Sequence, residues 1–354
     1  MLKIKKKWLK KVHRVKNEVK NRHKFLRLDK NEKIENYSNK LWMTFINQLT
    51  QDDFQAYPQI EELYLRLSKK ISINRKNIYL SSGSDSSIKI FFEIFTKKKS
   101  RLITTDPCFP MYKVYSEINQ NKLIFIKYNK NFTLDLKDFY KKINNKIDAI
   151  IIANPNSPVG DLIQEKDLIK IIKKSNKYGI PFFIDQAYFE FSKTDMIQLV
   201  KKFDNVIISR TFSKGMGAAG IRLAYIIANY KIIKLFENVR PLYEINQIAV
   251  RYGLFLIKNY SLAKNYCVKT IISRDKLCKI FEKNKIIVIN SKTNSIHVKF
   301  GKNLNKVKKI FNNFRVLFKF STLPHSNYKQ WVRLTIFPDI EKEEFIKKII
   351  LCQK

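Results

Sequence analysis

An α/β fold is predicted for this 354-residue chain, with a mostly parallel sheet in a large domain and a smaller α+β domain. Between residues 77 and 228, short apolar segments alternate with amphipathic helical ones, such as Ile88–Phe95 and Leu168–Tyr178. This alternation is typical of a parallel sheet covered by helices on both faces. The seven strand candidates are Ile78–Ser81, Leu102–Thr105, Leu123–Ile126, Ala149–Ala153, Phe182–Asp185, Val206–Ser209 and Leu223–Ile227.

The last hundred residues follow a different order, which predicts a second structural unit. A helical segment is followed by the strand candidates Ile286–Ile289, Ser295–Phe300 and Arg333–Ile336, and then by a closing helix. We therefore predict a large domain over residues 46–245 and a small one over residues 246–354. The N-terminal segment, residues 1–45, is expected to complete the small domain, so that both termini form it.

The composition indicates a folded and strongly basic protein. Hydrophobic residues make up 45% of the chain, and 70 basic against 30 acidic side chains give a net charge of +40. Such a charge is compatible with binding to nucleic acid or an anionic membrane. The lysines are dispersed, however, and no nucleic-acid motif accompanies them, so we expect a compositional bias and no nucleic-acid partner. The positive field would still help to steer an anionic substrate.

Cysteine spacing and hydropathy exclude several other classes. The four cysteines form no C-x-x-C pair, so neither a metal site nor a redox motif is indicated, and a reducing cytoplasm is the expected location. No apolar run approaches the roughly 18 residues that a membrane span needs. Residues 1–24 are rich in lysine, with Trp8, Val12 and Val15 at helical spacing. They predict a helix packed on the body, or alternatively a membrane-surface helix.

The segment 209–222 contains the groups that an aldehyde with a phosphate tail requires. Lys214 follows the hydroxyl-bearing residues Thr211 and Ser213, precedes a run of glycine and alanine, and lies eight positions before Arg222. A lysine forms a Schiff base with an aldehyde, and hydroxyl and guanidinium groups hold a phosphate. The small residues allow the backbone to approach a ligand closely. Arg222 stands among small and apolar residues, which predicts that it is buried and needs an anion.

A second phosphate-binding feature is predicted at residues 78–87. A strand, the turn at Gly83 and a helix start at Ser84 follow one another, and the free N–H groups of a helix N-terminus attract a phosphate. Taken alone, Ser or Asp after a turn is more often an ordinary helix cap than a phosphate ligand.

The order of these motifs resembles the fold type I pyridoxal-phosphate enzymes, and in particular the histidinol-phosphate aminotransferase branch of the class I and II aminotransferases. The resemblance extends from about Leu28 to the C-terminus. It implies that pyridoxal 5′-phosphate is the cofactor and that Lys214 forms the Schiff base with it. The residues that it places at the cofactor phosphate are Gly83, Ser84, Asp85, Thr211, Ser213 and Arg222.

The strand end at residues 183–188 is similar to the family motif D-E-A-Y. The resemblance implies that Asp185 keeps the pyridine nitrogen protonated, so that the ring accepts electrons from the substrate. It also implies that the hydroxyl of Tyr188 lies beside the 3′-oxygen of the cofactor. Gln186 stands where glutamate is commoner. An aspartate at the end of an apolar strand is otherwise often a helix cap.

Three further positions match family motifs around the cofactor ring. Phe109 corresponds to the aromatic residue that stacks on the pyridine. Residues 154–160 resemble the N-P-N-N-P-T-G loop, from which we expect Asn156 and Ser157 to contact the cofactor, with Ser157 replacing an asparagine. Tyr57, in the sequence Ala-Tyr-Pro, matches a tyrosine that reaches the phosphate of the neighbouring subunit. The resemblance therefore implies a homodimer with shared active sites.

Substrate-binding residues are predicted from the same resemblance. Arg333 matches the arginine that binds the substrate carboxylate, for which a planar guanidinium is suited. Lys319 stands where the branch has a second arginine. Asn31 and Glu32 preserve the first half of the family motif N-E-N-P, whose second half is missing here.

The predicted activity is transfer of an amino group between an amino acid, with glutamate as the expected donor, and a small, phosphorylated keto substrate. Freed from the cofactor, Lys214 would act as the general base. One alternative on the same fold is decarboxylation of a phospho- or phosphono-amino acid, as in threonine-phosphate decarboxylase. The alternative of another class is an inactive relative that serves as a basic binding module.

Overall fold

The structure, a computed structural model, describes residues 5–12, 19–192, 194–321, 323 and 330–353. Its largest sheet has seven strands in the order β2-β8-β7-β6-β5-β3-β4, and only β8 runs antiparallel to its neighbours. The predicted mostly parallel sheet is thereby confirmed. The strands of the described residues are β1 (Leu26–Arg27), β2 (Ile78–Ser81), β3 (Arg101–Asp106), β4 (Lys122–Lys127), β5 (Ala149–Ala153), β6 (Phe182–Asp185), β7 (Val206–Thr211), β8 (Ala224–Ala228), β9 (Ile287–Ile289), β10 (Ser295–Lys299), β11 (Val316–Leu317), β12 (Lys319–Phe320) and β13 (Trp331–Thr335).

Helices cover both faces of this sheet, which explains why its central strands are apolar along their whole length. In β5 every residue from Ala149 to Ala153 is buried, because alternate side chains point into two different cores. The helices of the described residues are α1 (Asn39–Ile46), α2 (Asp52–Gln55), α3 (Glu61–Ile71), α4 (Ser84–Phe95), α5 (Pro110–Ile118), α6 (Leu136–Lys142), α7 (Glu165–Lys177), α8 (Phe189–Ser192), α9 (Gln198–Lys202), α10 (Tyr230–Val239), α11 (Gln247–Lys258), α12 (Tyr260–Lys283), α13 (Leu304–Asn313) and α14 (Glu344–Leu351).

A second core forms around a four-stranded antiparallel sheet in the order β12-β13-β10-β9. Helices α13 and α14 contribute Phe311 and Ile346 to it. The N-terminal segment joins this unit, because β1 pairs with β11 and Leu28 is fully buried in the same core. Both the N-terminal segment and the C-terminal helix α14 therefore contribute to the smaller unit.

The chain passes from one core to the other within helix α12. Helix α11 still packs in the core of the large sheet through Ala249, Val250 and Phe255, and so does Ala263 at the start of α12. Leu277, farther along α12, belongs to the second core. The boundaries at residues 45 and 246 remain predictions, since the change of core occurs along a continuous helix.

The N-terminal residues are described only in part. Lys7–Lys11 form a 3₁₀ helix, and the indole N–H of Trp8 donates a hydrogen bond to the carbonyl of Ile118 at 3.0 Å. This contact fits packing on the body, whereas Val15 of the predicted helix lies outside the described residues. Within the described parts of the chain, no helix is long and apolar enough to cross a membrane.

Candidate active site

The candidate site lies at the carboxyl edge of the seven-stranded sheet, where open α/β sheets bind ligands. The parallel strands β6 and β7 end at this edge with Asp185 and Thr211. Because β8 runs the opposite way, its first residue, Ala224, pairs with both Thr211 and Ser81. The antiparallel course of β8 therefore brings Arg222 to the same edge as the strand ends.

Gly83 and Arg222 lie close together at this edge, and we call the surface that they form the cradle. Gly83 has a φ of +81°, and a Cβ atom added to it would lie 2.8 Å from Cζ of Arg222. Only glycine combines this backbone conformation with so close an approach. Helix α4 begins at the next residue, Ser84, so its N-terminus, where N–H groups are left free to bind an anion, lies beside the cradle.

Thr211 and Ser213, whose hydroxyl groups the sequence predicts at this cradle, are hydrogen-bonded to each other. Thr211 donates a hydrogen bond to Oγ of Ser213 at 2.9 Å, and the backbone N–H of Ser213 donates to Oγ1 of Thr211 at 3.1 Å. Both residues are buried. Oriented hydroxyl groups beside a helix N-terminus and a guanidinium suit a phosphate.

Arg222 is exposed, so the prediction that its apolar neighbours bury it is wrong. Leu223 and Ala224 are buried as expected, but Arg222 precedes β8 with a φ of +57°. This left-handed conformation takes its side chain out of the buried rows of the strand. The guanidinium donates a hydrogen bond to the carbonyl of Ala219 at 3.3 Å and otherwise remains open to an incoming anion.

Asp185 is a buried carboxylate on the floor of the site. Its side chain accepts hydrogen bonds from the N–H of Ala187 at 3.0 Å and from the hydroxyl of Tyr112 at 3.1 Å. Burial raises the pKa of Asp185 to about 6, although both hydrogen bonds and the charge of Lys214 act in the opposite direction. A cation placed against Asp185 would restore its charged form.

Lys214 lies close to the ring of Tyr188. Its Nζ atom is 5.6 Å from the centre of that ring and donates a hydrogen bond of 2.9 Å to the backbone carbonyl of Lys30. The N-terminal segment thus reaches across 184 positions of the chain to the amine that the sequence singles out.

The hydroxyl of Tyr188 has a lowered pKa. Burial by itself would raise this pKa, but the positive charges of Lys214 and Arg333 stabilise the phenolate. Hydrogen bonds from Asn31, at 3.1 Å, and from Ser157 act in the same direction. Tyr188 is therefore a group that exchanges a proton more readily than an ordinary tyrosine.

Asn31 connects this site with the second core. Its Nδ2 donates to Tyr188 and, at 3.3 Å, to Oγ of Ser295, while its Oδ1 accepts from the hydroxyl of Thr335 at 3.1 Å. Its backbone N–H donates to the same Thr335 oxygen at 3.0 Å. Asn31 is 2% exposed, and these contacts occupy its side chain. The structure therefore gives it contacts that position Tyr188.

Arg333 presents an unused donor to the site. Its Nη2 donates to the backbone carbonyl of Asp29 at 2.7 Å, whereas its Nε is buried and has no hydrogen-bond partner among the described residues. Lys319 stands directly opposite in the register of β12 and β13. Burial lowers the pKa of both side chains. A buried donor without a partner is costly unless a ligand satisfies it, and a carboxylate would do so.

Phe109 and Asn156, which are also predicted to contact the cofactor, make different contacts in the structure. Phe109 is half-buried just before α5 and meets the ring of Tyr112 edge-on at 5.8 Å. Asn156 is buried, and its Nδ2 donates to Oγ1 of Thr105 at 3.0 Å while its Oδ1 accepts from the N–H of Val159 at 3.0 Å. Asn156 thus shapes the loop that carries Ser157 to Tyr188.

Comparison with known families identifies the class of protein. Residues 35–349 match the family of class I and II aminotransferases. The chain belongs to this family. The predicted family is therefore confirmed, and with it an enzyme of the pyridoxal-phosphate-dependent transaminases.

Individual relatives agree with this assignment. A histidinol-phosphate aminotransferase of Clostridium novyi is 28% identical over 315 residues, which cover 88% of this chain and 87% of the relative. Two solved structures share the fold. Histidinol-phosphate aminotransferase from Sinorhizobium meliloti, solved in complex with pyridoxal-5′-phosphate, superposes with a TM-score of 0.81 at 18% identity, covering 93% of this chain and 90% of that one. L-threonine-O-3-phosphate decarboxylase from Porphyromonas gingivalis gives 0.77 at 17% identity, covering 92% and 98%.

The residues of this aminotransferase fit pyridoxal phosphate. The cradle at Gly83, which a Cβ would fill, matches a phosphate, and Asp185 offers a buried carboxylate to a pyridinium nitrogen. Lys214 would supply the amine with which the aldehyde reacts. No group of three or more histidine, cysteine, aspartate or glutamate side chains within the described ranges is placed to hold a metal ion.

Sequence reasoning missed three residues of this site. Tyr112 lies in the first turn of α5, three positions after Phe109, and this closeness in sequence to a predicted site residue was the available signal. Lys30 acts through its backbone carbonyl, which no side-chain motif reveals. Glu190 lies beneath the Lys214 loop, where a Cβ on Gly215 would be 2.8 Å from its carboxyl carbon. Both oxygens of Glu190 are buried without a described hydrogen-bond partner, and burial raises its pKa to about 8.

Proposed function

We propose that this aminotransferase moves an amino group between glutamate and a small keto substrate that carries a phosphate, as the histidinol-phosphate aminotransferases do. One observation supports this substrate class above all. The buried Nε of Arg333 has no described partner, and Lys319 faces Arg333 across β12 and β13. A guanidinium with one buried donor left over and a second cation beside it favours a substrate with more than one anionic group.

Each residue has a distinct task in the proposed reaction. When bound, pyridoxal phosphate supplies an aldehyde and a ring that accepts the electron pair left on the substrate Cα. Asp185 keeps a proton on the ring nitrogen. Arg333 orients the substrate carboxylate, and the amine of Lys214 removes the proton from Cα. Tyr188, with its lowered pKa, is placed to exchange a proton next to that amine.

The visible absorbance of the purified protein with added pyridoxal phosphate tests this proposal. L-glutamate, without a keto acceptor, should convert the band of the lysine-bound cofactor into that of the pyridoxamine form. Histidinol phosphate should do the same if the substrate class is correct. Conversion by glutamate but not by histidinol phosphate would keep the transaminase and reject histidinol phosphate as its partner.

Product analysis separates the proposal from its alternative on the same fold. A decarboxylase of phospho-amino acids would release carbon dioxide from threonine phosphate. Adding glutamate to it would leave the band of the lysine-bound cofactor unchanged. An inactive binding module would show no cofactor band and would bind nucleic acid in a salt-dependent manner.

We also infer that the chain forms a homodimer. Large apolar side chains are exposed in two stretches, residues 42–57 and 242–243, and Tyr57, which is 74% exposed, connects them by stacking on Tyr243 at 4.2 Å with an angle of 12°. Exposed apolar groups of this size favour a protein contact. In a dimer, Tyr57 would be free to reach the cofactor phosphate of the partner. The exposed apolar residues concerned are Trp42, Met43, Phe54, Tyr57, Leu242 and Tyr243.

A cytoplasmic location accords with the four cysteines, all of which are unpaired.

A further inference from the structure

Four charged side chains of the N-terminal segment form a connected group, which we call the charge cluster: Arg22, Arg27, Asp29 and Glu32. Arg22 uses both terminal nitrogens, with Nη2 2.5 Å from Asp29 and Nη1 2.9 Å from Glu32. Nε of Arg27 lies 3.0 Å from the other oxygen of Glu32. The cluster thus closes a loop from residue 22 to residue 32 through side chains alone.

The side chains of the cluster are partly shielded from solvent. The side chains of Arg22 and Glu32 are each 20% exposed, and that of Asp29 is 13% exposed. By comparison, Glu62 and Arg66 on helix α3 are 3.5 Å apart and 60% and 62% exposed. Partial burial and the planar fork of an arginine that bridges two carboxylates make an ion pair directional.

The segment that the cluster encloses carries three contacts to the active site. The carbonyl of Asp29 accepts from Arg333 at 2.7 Å, and the carbonyl of Lys30 accepts from Lys214 at 2.9 Å. Asn31 donates to the hydroxyl of Tyr188 at 3.1 Å. Each consecutive residue from 29 to 31 therefore holds a different functional group of the site.

The local backbone does not hold this segment by itself. Asn31 has a φ of +55°, in the left-handed region that non-glycine residues seldom adopt. Strand β1 ends at Arg27, before the segment begins. The proline that follows in the family motif is replaced by Ile34, so this chain lacks that source of stiffness.

We propose that Arg22 and Glu32 are positioning residues of this enzyme: their ion pairs hold residues 29–31 in the conformation that orients Arg333, Lys214 and Tyr188. The inference rests on the proposed function only for the choice of glutamate as the amino donor. Loosening the cluster should misplace Arg333 and Asn31, which donates to the hydroxyl of Tyr188, while leaving both hydrophobic cores intact. Small displacements of orienting groups have large effects on binding and rate.

The test compares the full-length enzyme, loaded with pyridoxal phosphate, with its variants Arg22→Gln and Glu32→Gln. Glu62→Gln serves as the matched control, because it removes the same charge from an exposed ion pair on helix α3. Three quantities are measured: KM and kcat for L-glutamate, the pH midpoint of the cofactor absorbance, and hydrogen exchange of the amide of Asn31. That amide donates to Thr335, so its protection reports on residues 29–31 directly.

We expect both variants to raise KM for glutamate about tenfold, with kcat changed less than about threefold. The absorbance midpoint should shift and the Asn31 amide should exchange faster, whereas Glu62→Gln should match the wild type in all three. The double variant should fall short of the sum of the two single effects, because both changes break the Arg22–Glu32 pair and each breaks only one further pair.

Two results would overturn the proposal. One is a KM for glutamate that stays within about twofold of the control, together with a pH midpoint of the cofactor absorbance that does not differ from the control. The other is a loss of thermal stability with a parallel fall in kcat, which would mean that the cluster only holds the fold. If wild-type enzyme turns over no glutamate, the proposed donor is wrong, and the absorbance midpoint and the Asn31 amide still decide the positioning role.

Discussion

The side-chain amide of Asn31 donates a hydrogen bond to the hydroxyl of Tyr188 across 3.1 Å, between residues 157 positions apart in the chain. Tyr188 follows the strand that ends in Asp185, whereas Asn31 is fixed by Ser295 and Thr335 of the second sheet. The contact therefore joins the smaller unit to the catalytic edge of the large sheet. An active site built in this way depends on how the two cores are packed together.

Replacing Lys214 with alanine should abolish turnover. No other described contact places an amine beside Tyr188 in this way, and the loss should exceed about a thousandfold because both the Schiff base and the general base disappear. The absorbance band of the lysine-bound cofactor should vanish too. Lys98→Ala, at an exposed position, is the control and should behave like wild type. Full activity in Lys214→Ala would refute the assignment.

Replacing Gly83 with alanine should weaken the binding of pyridoxal phosphate about tenfold to a hundredfold, because the new methyl group collides with the guanidinium of Arg222. Gly179→Ala is the matched control, since Gly179 also has a positive φ, of +63°, but no heavy atom lies within 4 Å of its Cβ position. Fluorescence titration of the apoenzyme measures both affinities. Equal losses in the two variants would point to backbone strain and away from the cradle.

Glu190 should make the stability of the enzyme depend on pH. Its pKa is about 8 in the folded chain and 4.5 for an ordinary glutamate, so the carboxyl is neutral in both states at low pH. As pH rises from about 4.5 to about 8, the unfolded state releases the proton and the folded state does not, which lowers the free energy of unfolding.

The variant Glu190→Gln removes this titration and should therefore become more stable than wild type as pH rises. The difference in unfolding free energy should grow by a few kcal/mol, in order of magnitude, between about pH 5 and about pH 8. Urea unfolding at both pH values, with Glu62→Gln as control, measures it. A difference that does not change with pH would show that Glu190 is ionised in the folded enzyme.

The proposed dimer predicts a position-dependent effect of surface charge. Phe54→Glu should yield a monomer and weaken cofactor binding, because Phe54 is 70% exposed beside the segment that carries Tyr57. Leu351→Glu, at a residue that is 65% exposed on α14, should leave the dimer intact. Light scattering distinguishes one chain from two. A wild-type chain that is monomeric at micromolar concentration would remove the basis for shared active sites.

Much of the fold was predictable because its signals are local. The alternation of apolar strands and amphipathic helices depends on short segments, and β5 and β6 occur where their residues predict them. The strands β11 and β12 were not predicted, since each has only two residues and exists through its pairing with another strand. Helix α11 has an apolar face whose partner the sequence does not specify.

The sequence by itself determined the family and the cofactor, and it predicts Lys214 and Asp185 as the catalytic pair, because each lies in a motif whose chemistry is complete within a few residues. Tertiary structure alone decided that Tyr112 supports Asp185, that Arg222 is exposed and that residues 29–31 hold three active-site groups. These contacts join distant segments, and several use backbone carbonyls. They arise only when the packing of two separate cores fixes the distance between those segments.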